Sequence, residues 1–429
     1  MTQVFVRRGG NLTNGCSIVL EPGANLQTGE SKFKALFGSI TTLERDLLLI
    51  AATIFAVDRC VRRGEREEVV RGIEISIPVV NIGRLQPVSP ILEDLLRTLS
   101  NDAWRITFRQ ESGKLEDSQS LQSSSGNTLL FSGGLDSFAA AIEFGSDKTP
   151  LQLVSHTTRN QRTSVVQDEL VSLLKTIGID PPHRKFQVSA VSKPPGAHLS
   201  FDAESSQRTR SFLFLTLGAL CARRAAHMQL IYIAENGQMA IHLPLTQARI
   251  GAFSTHTAHP EVLAKAEQYF SEVLDLAIHI VNPYVHKTKA EVTKIVWDKL
   301  PASIATTISC WKTSRMTGAA THCGICIPCI IRRVAIESHG PDATGYERNL
   351  FTEPFAALPD SDDGRRNLAD FGEFVLRVER YSEIEMMTEW PELYSSEIAR
   401  PDVIKMYKRA AAEARCVLGR YPGLAPVLT

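Results

Sequence analysis

Between Thr128 and Ile233 the apolar positions fall into short runs separated by stretches of helical period. Thr128–Phe131, Leu151–Val154, Lys185–Val188 and Leu230–Ile233 read as strands, while Phe138–Phe144, Ser164–Ile177 and Phe212–His227 space their apolar residues as helices do. Such βαβα alternation predicts a doubly wound parallel sheet with ligands at the carboxyl ends of its strands. Upstream, Thr41-Thr42-Leu43-Glu44 has the form of a capping box and opens an apolar helix that ends near Arg62-Arg63-Gly64. Ile73–Ile77 and Trp104–Phe108 alternate with period two, as half-buried strands do, so residues 1–110 read as a small α+β domain. Residues 111–127 are polar and serine-rich and read as a linker. The α/β domain then covers 128–340. From 341 to 429 a helical region follows, in which Asn367–Tyr381 and Pro401–Leu418 have one apolar and one charged face.

Composition narrows the function classes little. The chain has 429 residues, with Lys+Arg and Asp+Glu both at 47, so global charge gives no sign of a polyanion-binding protein. The longest mainly apolar run, Leu47–Val57, is too short to span a bilayer, and the first thirty residues lack a continuous signal-peptide core. A cytoplasmic protein without a membrane partner is the expectation.

Candidate chemistry lies in two places. Ser132-Gly133-Gly134-Leu135-Asp136-Ser137 sits between the first strand of the α/β domain and the helix that follows. Two glycines let the backbone turn sharply, and the N–H groups opening the helix face an anion with the positive end of the dipole behind them. No lysine follows the glycines, so this is not a Walker A loop, but a phosphate-rich ligand, a nucleotide first among them, suits it. The second place is the cluster Cys310-x12-Cys323-x2-Cys326-x2-Cys329. Four thiolates satisfy tetrahedral zinc and leave no open position, which makes the site structural. An iron–sulfur cluster is the rival, weakened because no cysteine stands three residues after Cys329, and His322 is a further candidate ligand. His156, His198, His256 and His259 show no visible partner and are assigned no role.

The glycine loop resembles the PP-loop of nucleotide α-hydrolases, and loop and cysteines together resemble the QueC family of 7-cyano-7-deazaguanine synthases. Arg208–Leu215 is similar to the family's Arg-Asn-x-x-Phe-Leu segment, with Arg210 at its arginine. Ala234-Glu235-Asn236-Gly237 stands where the family has Gly-Val-Asn, Asn282–Glu291 resembles its Pro…Thr-Lys-x-Glu segment, and Ser309-Cys310-Trp311 its Ser-Cys-Tyr. Two segments depart. Ser155–Asn160 replaces Tyr-Gly-Gln-Arg-His, keeping only Arg159, and residues 240–260 differ around Arg249. The longer architecture is similar to the QueC-like component of Qat antiphage defence systems.

The resemblance implies a PP-loop fold with a zinc knuckle and three cofactors, ATP, Mg2+ and Zn2+. It implies an ATP-dependent carbon–nitrogen ligase that adenylates a deazapurine carboxylate, releases pyrophosphate and passes the acyl group to an amine. That amine is a macromolecular one, such as the N-terminus of a partner protein in the same defence system, or ammonia, which would lead to the nitrile. Transfer of sulfur to tRNA and a non-catalytic nucleotide-binding scaffold are the remaining classes. Ser132, Gly133, Gly134, Leu135, Asp136, Ser137, Arg210 and Asn236 are the implied nucleotide contacts. Asp136, Ser137 and Lys289 are the implied catalytic residues, with Asp136 orienting the loop or a magnesium ion, and Arg159 and Arg249 touch the acid. Asp136→Ala is expected to abolish ATP turnover with little loss of fold.

Overall fold

The computed structural model describes residues 2–7, 18–63, 70–113, 126–147, 150–157, 161–190, 204, 207–225, 229–246, 257–313 and 320–428. Its first part contains β1 (Thr2–Val6), β2 (Ile18–Leu20), β3 (Leu26–Gln27), α1 (Glu30–Phe37) and α2 (Thr42–Cys60). β4 (Gly72–Val79), α3 (Ile82–Leu85), α4 (Ser89–Ser100) and β5 (Ala103–Gln110) complete it. The sheet has order β2-β1-β4-β5, and every pairing in it is parallel. Helix α2 begins where the sequence places it. Thr41 Oγ1 accepts from Glu44 N, and the Glu44 carboxylate accepts from Thr41 N, closing the capping box.

The second part runs β6 (Asn127–Leu130), α5 (Leu135–Ser146), β7 (Leu151–Thr157), α6 (Gln161–Thr176), β8 (His183–Gln187), β9 (Ser189–Ala190), α7 (Arg210–Arg223) and β10 (Leu230–Tyr232). It continues through α8 (Gly237–Ile241), α9 (Pro260–Leu274), β11 (His279–Val281), α10 (Lys289–Lys299) and α11 (Ile327–Glu337). Five parallel strands lie in the order β11-β10-β6-β7-β8. That is the expected doubly wound sheet, and its order reverses between β6 and β10. The loops after those two strands part there and open the crevice in which such sheets bind ligands.

Helix α7 is apolar on nearly all sides because it is sandwiched. It lies on β6 and β7 with one side and against α2 with the other. Apolar residues of both sheets and of α2, α7 and α9 form one continuous core. Two buried ion clusters tie α2 to α7 at opposite ends. Glu44 pairs with Arg224 at 2.5 Å, and Asp58 Oδ2 accepts from Thr209 N and Oγ1 at 2.9 and 3.1 Å. The stretch read as a linker lies mostly outside the described residues.

The helical C-terminal region contains α12 (Asp363–Arg380), α13 (Glu383–Glu389) and α14 (Arg400–Leu418), and it builds a separate core with α11 and Ile241 of α8. Arg409 and Glu413 of α14 reach the start of α10. Arg409 pairs with Glu291 at 2.7 Å, and Thr288 Oγ1 donates to Glu413 at 2.8 Å. No helix among the described residues is long and apolar enough to cross a membrane.

Candidate nucleotide site and cysteine cluster

The Ser-Gly-Gly loop follows β6 at the topological switch point. Gly133 takes φ +83°, a left-handed conformation that favours glycine, and its carbonyl accepts from Ile308 N at 3.0 Å. Gly134 is the extended N-cap of α5 and brings no side-chain cap, so the N–H groups of Leu135, Asp136 and Ser137 remain available to a ligand. A Cβ on Gly134 would stand 3.1 Å from Ser132 Oγ and 3.2 Å from the Ile308 carbonyl. Ser132 Oγ accepts from Gly134 N at 3.1 Å and lies 3.2 Å from Ser137 Oγ, which donates to the Gly134 carbonyl at 3.0 Å. The two hydroxyls thus hold the loop closed around the mouth of the helix.

Asp136 points to the opposite side, into a buried network. Both its oxygens accept from Lys289 Nζ at 2.9 Å, and Oδ2 also accepts from Asn236 Nδ2 at 2.9 Å. Burial would raise the Asp136 carboxyl, but the Lys289 ammonium together with hydrogen bonds from Glu235 and Asn236 holds the group below its ordinary value. Glu235 shares this network, and burial together with the Asp136 charge pushes its carboxyl well above the usual range. The consequence is electrostatic. Asp136, the acidic residue in the first turn of α5, is neutralised by Lys289, so it does not repel an approaching phosphate.

Each member of the network is delivered by local structure. Asn236 N-caps α8, and a Cβ on Gly237 would lie 2.3 Å from the Val285 carbonyl, so the chain after β10 can only pass there as glycine. Asn282 pins Glu235 from both sides, accepting from its N–H at 3.2 Å and donating to its carbonyl at 2.8 Å. Lys289 is the first residue of α10, whose capping box joins Thr288 and Glu291.

The structure therefore brings together Ser132, Gly133, Gly134, Leu135, Asp136, Ser137, Asn236 and Lys289. It corrects the expectation for Asp136→Ala. That change would strand a buried ammonium, so it costs stability. Asp136 accepts from both Lys289 and Asn236, which fixes its carboxylate within the network. Arg210 sits apart from the network, at the start of α7 and stacked over Phe214 at 5.7 Å. Arg159 and Arg249 lie outside the described residues. Glu235, Asn282, Ile308 and Gln167, whose amide donates to the Ser132 carbonyl at 3.3 Å, went unread. Only the Asn-Pro and Ala-Glu-Asn-Gly strings hinted at two of them.

The four cysteines meet as their spacing predicts. All four sulfurs lie within 4.8 Å of one another, with Cys326–Cys329 at 3.4 Å and both Cys310–Cys326 and Cys323–Cys329 at 3.9 Å. Thiolates about 2.3 Å from a tetrahedral zinc stand ~3.8 Å apart, so the set fits the ion closely. Gly324 takes φ +79°, and a Cβ there would collide with the Arg348 carbonyl at 1.9 Å. His322 is excluded as a ligand by its own bonds. Its Nε2 accepts from Ser309 N at 3.1 Å and its Nδ1 lies 2.8 Å from Thr321 Oγ1. The cluster also supports the nucleotide loop. Arg332 of α11, fully buried, donates to Thr307 Oγ1, Ser309 Oγ and the Ile304 carbonyl, and so fixes the strand of chain whose Ile308 holds Gly133.

Comparison with known proteins agrees with this arrangement. The family model "Queuosine biosynthesis protein QueC" matches residues 127–340. A 7-cyano-7-deazaguanine synthase of Paracoccus denitrificans is 36% identical over 100 residues, which is 21% of this chain and 40% of that relative. Those of Brucella anthropi and Agrobacterium fabrum are 28% and 29% identical over 223 and 254 residues, about half of this chain (51% and 53%) and 92% and 97% of theirs. The chain thus covers under half of the first relative and nearly all of the other two.

Proposed function

From a chain that belongs to the QueC family through residues 127–340, we propose an ATP-dependent ligase that activates a deazapurine carboxylate as its adenylate. The observation that carries this reading is the uncapped mouth of α5, where a closed glycine loop meets a carboxylate already neutralised by Lys289. A carboxylate oxygen attacks the α-phosphate, pyrophosphate leaves, and an amine nitrogen then displaces AMP from the acyl carbon with loss of a proton. Ser132, Gly133, Gly134 and the first N–H groups of α5 hold the leaving pyrophosphate, and Ser137 closes the loop over it. Asp136 orients Lys289 and Asn236 rather than touching phosphate. Magnesium would accompany the phosphates of ATP and neutralise part of their charge. Cys310, Cys323, Cys326 and Cys329 would hold zinc as a closed structural site that supplies no chemistry.

The acceptor separates two readings. The departures at 155–160 and around Arg249, with an added N-terminal unit, favour a macromolecular amine, in the manner of an antiphage conjugation system. The names of the relatives favour ammonia and a nitrile product. The deciding experiment follows acid-dependent ATP–pyrophosphate exchange with 7-carboxy-7-deazaguanine, and then product masses with ammonia or a candidate protein acceptor. Exchange that does not depend on the acid overturns adenylation. A nitrile without any gain in acceptor mass overturns conjugation.

A further inference from the structure

Gln167, on α6, is fully buried against the nucleotide loop, and a Cβ on Gly133 would stand 3.2 Å from its Cγ. Its Nε2 donates to the Phe131 carbonyl at 3.4 Å and to the Ser132 carbonyl at 3.3 Å. A carbonyl only accepts, so the nitrogen of the amide faces this pair, with one proton for each oxygen. Oε1 is thereby turned away and meets no donor among the described residues. An apolar side chain of similar length would fill the same place and leave no oxygen unsatisfied. What the amide adds is a pair of donors, aimed at the last carbonyl before the loop and the first one within it.

These two carbonyls differ in how else they are held. The Phe131 carbonyl also accepts from Ser155 Oγ at 2.6 Å, and that hydroxyl lies 2.8 Å from His183 Nε2. The Ser132 carbonyl has no second donor among the described residues. A trans peptide is planar, with its carbonyl and its N–H pointing in opposite directions. Drawing the Ser132 carbonyl toward α6 therefore turns the Gly133 N–H away from α6, where it meets no acceptor among the described residues. The next peptide is set in the same manner, since the Gly133 carbonyl accepts from Ile308 N at 3.0 Å while the Gly134 N–H turns to Ser132 Oγ at 3.1 Å.

Gly133, at φ +83°, is the residue through which this run of N–H groups bends, and such a bend forms a concavity that binds anions. Glycine also lets the peptide before it turn over at little cost. A turned peptide would set a carbonyl dipole against the phosphates in place of a donor. We propose that Gln167 is a positioning residue of the nucleotide loop, which holds the Ser132 carbonyl toward α6 and so presents the Gly133 N–H to the β- and γ-phosphates. Gln167 itself touches no phosphate. That the anion is the pyrophosphate portion of ATP rests on the adenylation reading above.

The test uses the full chain with Gln167→Met, which keeps the bulk and loses both donors, and with Gln167→Asn, which keeps the amide but draws it back by one methylene. Calorimetry titrates inorganic pyrophosphate, a non-hydrolysable ATP analogue and AMP, with thermal melting as the control for folding. Pyrophosphate and the ATP analogue should bind roughly ten- to a hundredfold more weakly to Gln167→Met, the loss expected for one hydrogen bond to a charged group. AMP, which lacks the β- and γ-phosphates, should stay within about twofold of wild type, and Gln167→Asn should fall between the two. Equal weakening of AMP and pyrophosphate would mean a collapsed loop and overturn the proposal, as would unchanged affinity for all three. Should Gln167→Met fail to fold, the same split between pyrophosphate and AMP is read in Gln167→Asn. A wild-type chain that binds pyrophosphate but shows no acid-dependent exchange overturns the adenylation reading alone, and Gln167 is still judged by the split. A wild-type chain that binds neither pyrophosphate nor the ATP analogue overturns both.

Discussion

Two clusters of buried charge flank the carboxyl edge of the second sheet, and they are built on opposite plans. At the switch point Asp136, Lys289, Asn236 and Glu235 satisfy one another, with the ion pair at 2.9 Å. At the end of β7, Arg59 and Arg210 surround a neutral His156, and no described carboxylate faces Arg210. Compensated charge shapes a site without recruiting anything, since its desolvation is already offset internally. The first cluster accordingly ties α5 to α10 through Asp136 and Lys289, and the second sits where α2 packs along α7.

The strongest way to separate the two is to remove a support that only one of them has. The loop hangs from Ile308 and hence from the cysteine knuckle, whereas the arginine pair hangs from α2 and α7. Structural zinc can contribute on the order of 10 kcal/mol to a small fold. Chelation, or Cys329→Ser, should release the metal by elemental analysis and abolish both pyrophosphate exchange and ATP binding, while the core around α2 and α7 stays folded. Retained exchange without the metal would mean that the loop stands without the knuckle.

Next in size is the ion pair. Asp136→Ala leaves Lys289 charged and buried at 6% exposure, and should cost about 3–5 kcal/mol in urea unfolding. Lys289→Met alone should cost a similar amount. Together they should cost clearly less than their sum, because the double variant has no stranded charge. Strict additivity would contradict the compensated reading. A smaller effect is expected at the cap of α7. Asp58→Asn keeps the shape but loses the charge facing Thr209 and Arg71, and should cost about 2 kcal/mol in urea unfolding.

These clusters also differ in how readable they are. The glycine loop and the cysteines are contiguous or nearly so, and their geometry follows from local rules: a turn that needs φ > 0, a helix mouth, and thiolates spaced for one ion. The doubly wound sheet was legible for the same reason, since each strand and helix announces its own period. Lys289 reads from the sequence as an implied catalytic residue, and nothing in a linear string shows a carboxylate 153 residues away turning to meet it. The packing of α2 along α7 carried no signal at all, because it is set by Glu44–Arg224 and Asp58–Thr209, pairs distant in sequence. Local chemistry was readable, and long-range charge balance was not.

The smallest predicted effect tests whether the compensated cluster is sealed against titration. Glu413 of α14 accepts from Thr288 Oγ1, the cap that sets Lys289 at the head of α10. Burial raises its carboxyl to about 7, and the nearby Glu291 adds to the rise, against Thr288 and Arg409, which oppose it. A carboxyl with a folded pKa above its unfolded value binds its proton more tightly when folded. Its contribution is therefore fully present below the unfolded value near 4.5 and is lost as pH climbs through about 7. The wild-type chain should lose on the order of 2 kcal/mol between pH 5 and 8 from this group, after allowance for partial solvent screening. Glu413→Gln, which keeps the hydrogen bond and cannot ionise, should flatten that slope in urea melts at a series of pH values. If α10 carries the strain to Lys289, pyrophosphate exchange in the wild type should fall over the same interval and hold steady in Glu413→Gln. A parallel fall in both proteins would place the titrating group elsewhere and leave the Asp136–Lys289 pair insulated from the C-terminal helices.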